Sequence, residues 1–106
     1  MKSEADTVQL TDKQRDTICQ LAEAFLPGTV IWAYGSRAKG TARPASDLDL
    51  VAMAPPGQAR QVSALKEALE ESNLPFRVDL FVWDELPDTF KENIQREKKV
   101  LVAGEK

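Results

Sequence analysis

Residues 35–50 read GSRAKGTARPASDLDL, and this stretch restricts the fold more than any other part of the chain. It begins where one apolar run ends, TVIWAY at 29–34, and it finishes inside another, LDLVAM. Runs this short and this rich in β-branched and aromatic residues suit strands rather than buried helices. Two strands must therefore be joined through a glycine-serine turn, a short helical turn over 37–40, and a loop of small residues around Pro44. The turn has a particular chemistry. Gly35 permits close backbone approach, Ser36 adds a hydroxyl, and a turn entering a helix aims its first N–H groups at an anion. Arg37 stands beside them as a further phosphate contact. Asp47 and Asp49 are two apart, so on a strand they project from one face, at the spacing that lets two carboxylates share a divalent cation.

The remainder of the sequence surrounds this unit with helices and one more acidic strand. Thr11 and Gln14 form a capping box, and Ile18, Leu21, Ala22 and Phe25 follow at helical spacing, which predicts a helix over 12–26 stopped by Pro27 and Gly28. A strand over 47–54 presents Asp47, Asp49, Val51 and Met53 on one face and Leu48, Leu50, Ala52 and Ala54 on the other. After Pro55, Pro56 and Gly57, a helix over 58–73 turns Val62, Leu65 and Leu69 inward. Residues 76–83, FRVDLFVW, predict a third strand whose alternation puts Arg77, Asp79, Phe81 and Trp83 on one side. Asp79 is out of character there, because a buried carboxylate without a partner costs several kcal/mol. A neighbouring cation would offset that cost. Phe90 and Ile94 mark a last helix, and 100–102 end as a short extended or irregular piece. Trp32, Tyr34, Phe81 and Trp83 are expected to fill a sheet face.

Composition excludes several functions. The chain has no histidine, which removes histidine bases and histidine metal sites. Its single cysteine, Cys19, falls in the apolar stripe of the first helix and is expected to be a structural thiol. The formal charge of -3 argues against direct nucleic-acid binding. No apolar run approaches the roughly 18 residues that span a bilayer, and the start MKSEADT lacks a signal-peptide core, so a cytoplasmic location without membrane attachment is expected. At 106 residues one domain is expected over 11–106, preceded by a flexible arm over 1–10. Three converging carboxylates and no softer ligand favour Mg²⁺, with Mn²⁺ able to substitute.

The ordered set of a Gly-Ser turn, an Asp-x-Asp strand and a later strand acid resembles the nucleotidyltransferase superfamily related to DNA polymerase beta. GSRAKG, SDLDL and PFRVDL, in so short a chain, are similar to its minimal nucleotidyltransferases, commonly encoded beside a small helical HEPN protein. The resemblance implies an α/β (α+β) fold with a small mixed sheet and helices packed largely on one side. It implies two metal ions held by Asp47, Asp49 and Asp79 around a nucleoside triphosphate bound at Gly35 and Ser36. It further implies an antitoxin that transfers AMP from ATP to a tyrosine hydroxyl of a HEPN toxin. Two other readings are a non-catalytic nucleotide-binding or structural subunit of a two-protein complex, and a nucleotidyltransferase acting on an antibiotic.

Overall fold

A computed structural model of the chain describes residues 8–103. Its elements run α1 (Asp12–Phe25), β1 (Ile31–Tyr34), α2 (Ser36–Lys39), β2 (Leu48–Ala52), α3 (Ala59–Glu70), β3 (Val78–Val82), α4 (Asp88–Glu97) and β4 (Lys99–Val102). The capping box forms as expected: the Gln14 N–H donates to Thr11 Oγ1 at 3.1 Å, and the Thr11 N–H donates to Gln14 Oε1 at 3.0 Å.

The strands make one mixed sheet in the order β3-β2-β1-β4. β1 and β2 are antiparallel, as are β1 and β4, while β2 and β3 are parallel. The parallel pair needs a crossover, which α3 supplies. The expected extended piece at the chain's end is thus a true edge strand, its register shifted at Ile31 and Trp32. Pairing of this kind is set by tertiary contact and leaves little mark on a stretch as short as KVLV.

Alternation divides the sheet cleanly. Ile31, Ala33, Leu48, Leu50, Ala52 and Leu80 face α1 and α3, which bury Ile18, Ala22, Val62, Leu65 and Leu69 against them. Truncating one of these leucines to alanine would cost about 2–5 kcal/mol. The opposite face carries Tyr34 and Val51 with Trp32, Met53 and Trp83, and Ile94 of α4 covers it. The helices therefore lie largely on one side, α4 excepted. Cys19 Sγ, half-buried, contacts the Leu101 carbonyl at 3.8 Å, and burial pushes its thiol pKa up, the signature of an inert thiol.

Residues 1–7 of the expected arm lie outside the described residues, but its last residues are docked. Val8 is fully buried, the Gln9 N–H donates to the Arg37 carbonyl at 2.9 Å, and Gln9 Nε2 donates to the Ala42 carbonyl at 2.8 Å. A single valine in a polar stretch has no period, so patterning alone could not detect this contact.

Candidate active site

The second face of the sheet is where the chemistry-bearing residues meet. Asp49 on β2 is opposite Tyr34 on β1 and beside Asp79 on β3, so the three form a row across the sheet. The next row on the same face is Trp32, Val51 and Phe81. Asp47 stands exposed just before β2 begins.

Gly35 closes the row at the end of β1. Its φ of 81° lies where side chains are strained, and a Cβ built on it would sit 2.7 Å from Asp49 Oδ2. The carboxylate is thus packed directly against the glycine backbone. The Gly35 carbonyl accepts from the Ala38 and Lys39 N–H groups at 3.1 and 3.0 Å, which starts α2 immediately. Gly40 ends it in the left-handed conformation. Lys99 Nζ donates to the Ala38 carbonyl at 2.9 Å, and Lys39 pairs with Glu97 at 3.4 Å, so β4 and α4 hold the turn from its far side.

The site is short of positive charge. Burial raises the Asp49 pKa, and the charges of Asp79 and Asp47 raise it further. Burial, followed by the charges of Asp49 and Asp79, also pushes the Tyr34 hydroxyl well above its ordinary range, which keeps it a neutral phenol. Asp79 has a cationic partner of its own: its Oδ1 accepts from Arg77 Nε at 3.1 Å. Among the described residues no three carboxylates are gathered closely enough to hold one ion. Arg77 is 73% exposed, so this ion pair is worth at most about 1 kcal/mol and yields readily to a competing cation. Asp49 and Asp79, neighbouring carboxylates that offer only oxygen donors and repel each other, have the chemistry that suits a hard cation such as Mg²⁺.

Arg37 departs from its expected role. Only 5% exposed, it points into the loop and donates to the carbonyls of Gln9, Arg43, Pro44 and Ser46, with its guanidinium 4.0 Å from the Phe76 ring centre. Arginine matches this because its planar fork can serve several acceptors at once. It braces the 41–46 loop that returns the chain to Asp47. Arg37→Met should lower stability by about 3 kcal/mol, since four part-buried carbonyls lose a charged donor together, and thermal unfolding measures the change.

A cleft of about 380 Å³ opens beside the acid row, lined by Tyr34, Gly35, Asp49, Phe81, Phe90 and Asn93, with Ile94 and Glu97 behind. A larger one, about 530 Å³, lies by Val8, Leu10, Pro44 and Pro75 and reaches no carboxylate of the row. Arg77 meets Asp79 on the face that alternation assigns to both, while Tyr34 and Phe90 are neighbours of the acids that the sequence pattern did not single out. Tyr34 was detectable as the residue before Gly35, whereas Phe90 comes from a helix whose docking face no local pattern specifies.

The sequence matches the family described as Polymerase beta, Nucleotidyltransferase over residues 16–106. It is 39% identical over 87 residues to the probable protein adenylyltransferase MntA of Haemophilus influenzae, covering 81% of this chain and 76% of that one. A crystal structure of a toxin-antitoxin with AMP-PNP superposes with a TM-score of 0.61 at 20% identity, covering 84% of this chain and 73% of its own. A tri-AMPylated Shewanella oneidensis HEPN toxin in complex with MNT antitoxin gives a TM-score of 0.55 at 16% identity, covering 89% and 73%. At these identities the two structures speak to the fold. No helix among the described residues is long and apolar enough to cross a membrane.

Proposed function

The chain belongs to the polymerase beta nucleotidyltransferase family, and from that premise we propose that it transfers AMP from ATP to a tyrosine hydroxyl of a HEPN-type helical toxin, acting as its antitoxin. The observation that carries this reading is Asp49 packed against Gly35 with Asp79 beside it in register. The relatives described as a protein adenylyltransferase and as an antitoxin bound to an AMPylated toxin support the choice of nucleotide and partner.

On this reading Gly35, Ser36 and the first N–H groups of α2 receive the triphosphate. Asp47, Asp49 and Asp79 would hold two Mg²⁺ ions, which neutralise phosphate charge and acidify the acceptor hydroxyl when bound. The hydroxyl oxygen bonds to the α-phosphorus, the bond to pyrophosphate breaks, and the hydroxyl proton passes to Asp79. The chain contributes position and charge complementarity and forms no covalent intermediate. ATP labelled at the α-phosphorus should label the partner, and ATP labelled at the γ-phosphorus should not. Label that stays in ATP with both proteins folded favours a non-catalytic nucleotide-binding subunit.

Ligand linkage tests the acids without a partner. Mg²⁺ with ATP at about 100 times Kd should add roughly 2.7 kcal/mol, raising the melting temperature on the order of 10 °C. Asp79→Asn removes repulsion from Asp49 and forfeits only an exposed ion pair, so the ligand-free variant should melt no lower than wild type while its ligand shift shrinks. An unchanged ligand shift would exclude Asp79 from the site.

A further inference from the structure

Phe81 and Phe90 are large apolar side chains left 39% and 36% exposed, and they meet at the mouth of the acidic cleft. The Phe90 ring stands perpendicular to both Tyr34 and Phe81, with ring centres 5.9 and 6.5 Å apart. The result is an aromatic wall built from β1, β3 and α4. Single exposed hydrophobics are ordinary, but two in mutual contact lining a cleft with a carboxylate are a candidate binding surface.

The wall's chemistry selects its occupant. One end of the cleft is aromatic and the other is Asp49, so the complementary group is a flat apolar ring carrying a hydroxyl. Phe81 follows Asp79 by two residues on the same strand face, so a ring lodged at Phe81 has its polar end toward the acid row. β3 is an edge strand, which leaves this side of the sheet open to a protein partner. A purine would need hydrogen-bonding groups at its edge. The cleft offers little to meet them: Asn93 Oδ1 accepts from Arg96 and Glu97 pairs with Lys39, which leaves the Asn93 amide N–H groups as the side-chain donors beside the aromatic wall.

We propose that Phe81 and Phe90 form the acceptor subsite and hold the ring of the partner's tyrosine so that its hydroxyl faces Asp49 and Asp79. This inference rests on the AMP-transfer reading above. In the step it serves, the phenol oxygen bonds to the α-phosphorus, pyrophosphate departs, and the phenol proton goes to Asp79. Phe81 and Phe90 take no part in proton transfer. They position the acceptor and favour an aromatic hydroxyl over an aliphatic one.

The test uses isotope-labelled protein, Mg²⁺ and the non-hydrolysable ATP analogue AMPCPP, titrated with N-acetyltyrosinamide or N-acetylserinamide and followed by NMR. Tyrosinamide should give saturable shifts at Tyr34, Phe81, Phe90 and Asn93, and serinamide should not. Phe81→Ala and Phe90→Ala should each weaken tyrosinamide by about 10-fold and leave AMPCPP affinity within about 2-fold. Phe90→Leu, which keeps an apolar side chain over Tyr34, covers the case in which Phe90→Ala fails to fold and should also weaken the probe. If the variants lose AMPCPP instead, the wall holds the base and the proposal fails. AMPCPP bound normally with no tyrosinamide at the wall overturns this proposal alone. AMPCPP that does not bind wild-type protein overturns the transfer reading and this proposal with it.

Discussion

Asp49→Asn should reduce AMP transfer on the order of 10²–10³-fold or more while making the ligand-free protein more stable. These opposite effects follow from one cause. Asparagine keeps the size of the side chain packed against Gly35 but removes the negative charge that burial and the neighbouring Asp79 and Asp47 disfavour. The native state therefore binds a proton at Asp49 more readily than the unfolded chain does, which is what a raised pKa means. Stability from this group is fully present below the ordinary carboxylate pKa and is lost as pH rises through the raised native value. Melting curves from about pH 3 to about pH 7 should show wild-type protein losing this contribution and Asp49→Asn keeping it. An aspartate held by a structural hydrogen-bond network would behave the other way, with the asparagine variant melting lower at neutral pH.

Gly35→Ala should be nearly as damaging to transfer, for a geometric reason. The added methyl carbon would lie 2.7 Å from Asp49 Oδ2, so the carboxylate or the turn must move, and a displacement near 1 Å at a reacting centre costs about 10²-fold. With φ at 81° and ψ at -157°, a region essentially confined to glycine, the backbone adds a further cost of about 1–3 kcal/mol. Gly40 provides the control. Its φ of 79° is nearly the same, yet a Cβ there meets nothing within 4 Å. Its ψ of 18° places it in the left-handed helical region, so Gly40→Ala should lose only about 1–2 kcal/mol, less than Gly35→Ala, with transfer largely retained. Equal loss of activity in both variants would mean that backbone strain, and not the contact with Asp49, explains the effect.

The shared face of Asp49 and Asp79 was legible in the sequence because strand alternation fixes the face of every second residue in two short apolar runs, whereas Asp47 precedes β2, where that alternation no longer holds. The Gly-Ser turn was legible for a similar reason, since few residues tolerate that position. Legibility ended where contacts are made by residues without a period. Arg37 sits in the expected turn, but its partners come from Gln9 and the 43–46 loop, so its role as a brace depends on where that loop folds back. The pairing of β4 with β1 and the docking of Phe90 beside Tyr34 are likewise tertiary events. Phe81 was expected to fill a sheet face, and its face was right. Its burial was not, because β3 is an edge strand and α4 covers only part of that face.

The central claim is that the acids around Gly35 carry out AMP transfer to a protein partner, and intact-mass spectrometry of that partner tests it most directly. The helical HEPN protein is incubated with Mg²⁺, ATP and either wild-type chain or Asp49→Asn, and its mass is measured before and after. The account predicts that wild type adds one or more whole adenylyl increments, that phosphodiesterase removes them, and that Asp49→Asn adds none in the same interval. A partner that binds the wild-type chain in a stable complex and keeps its original mass would contradict it.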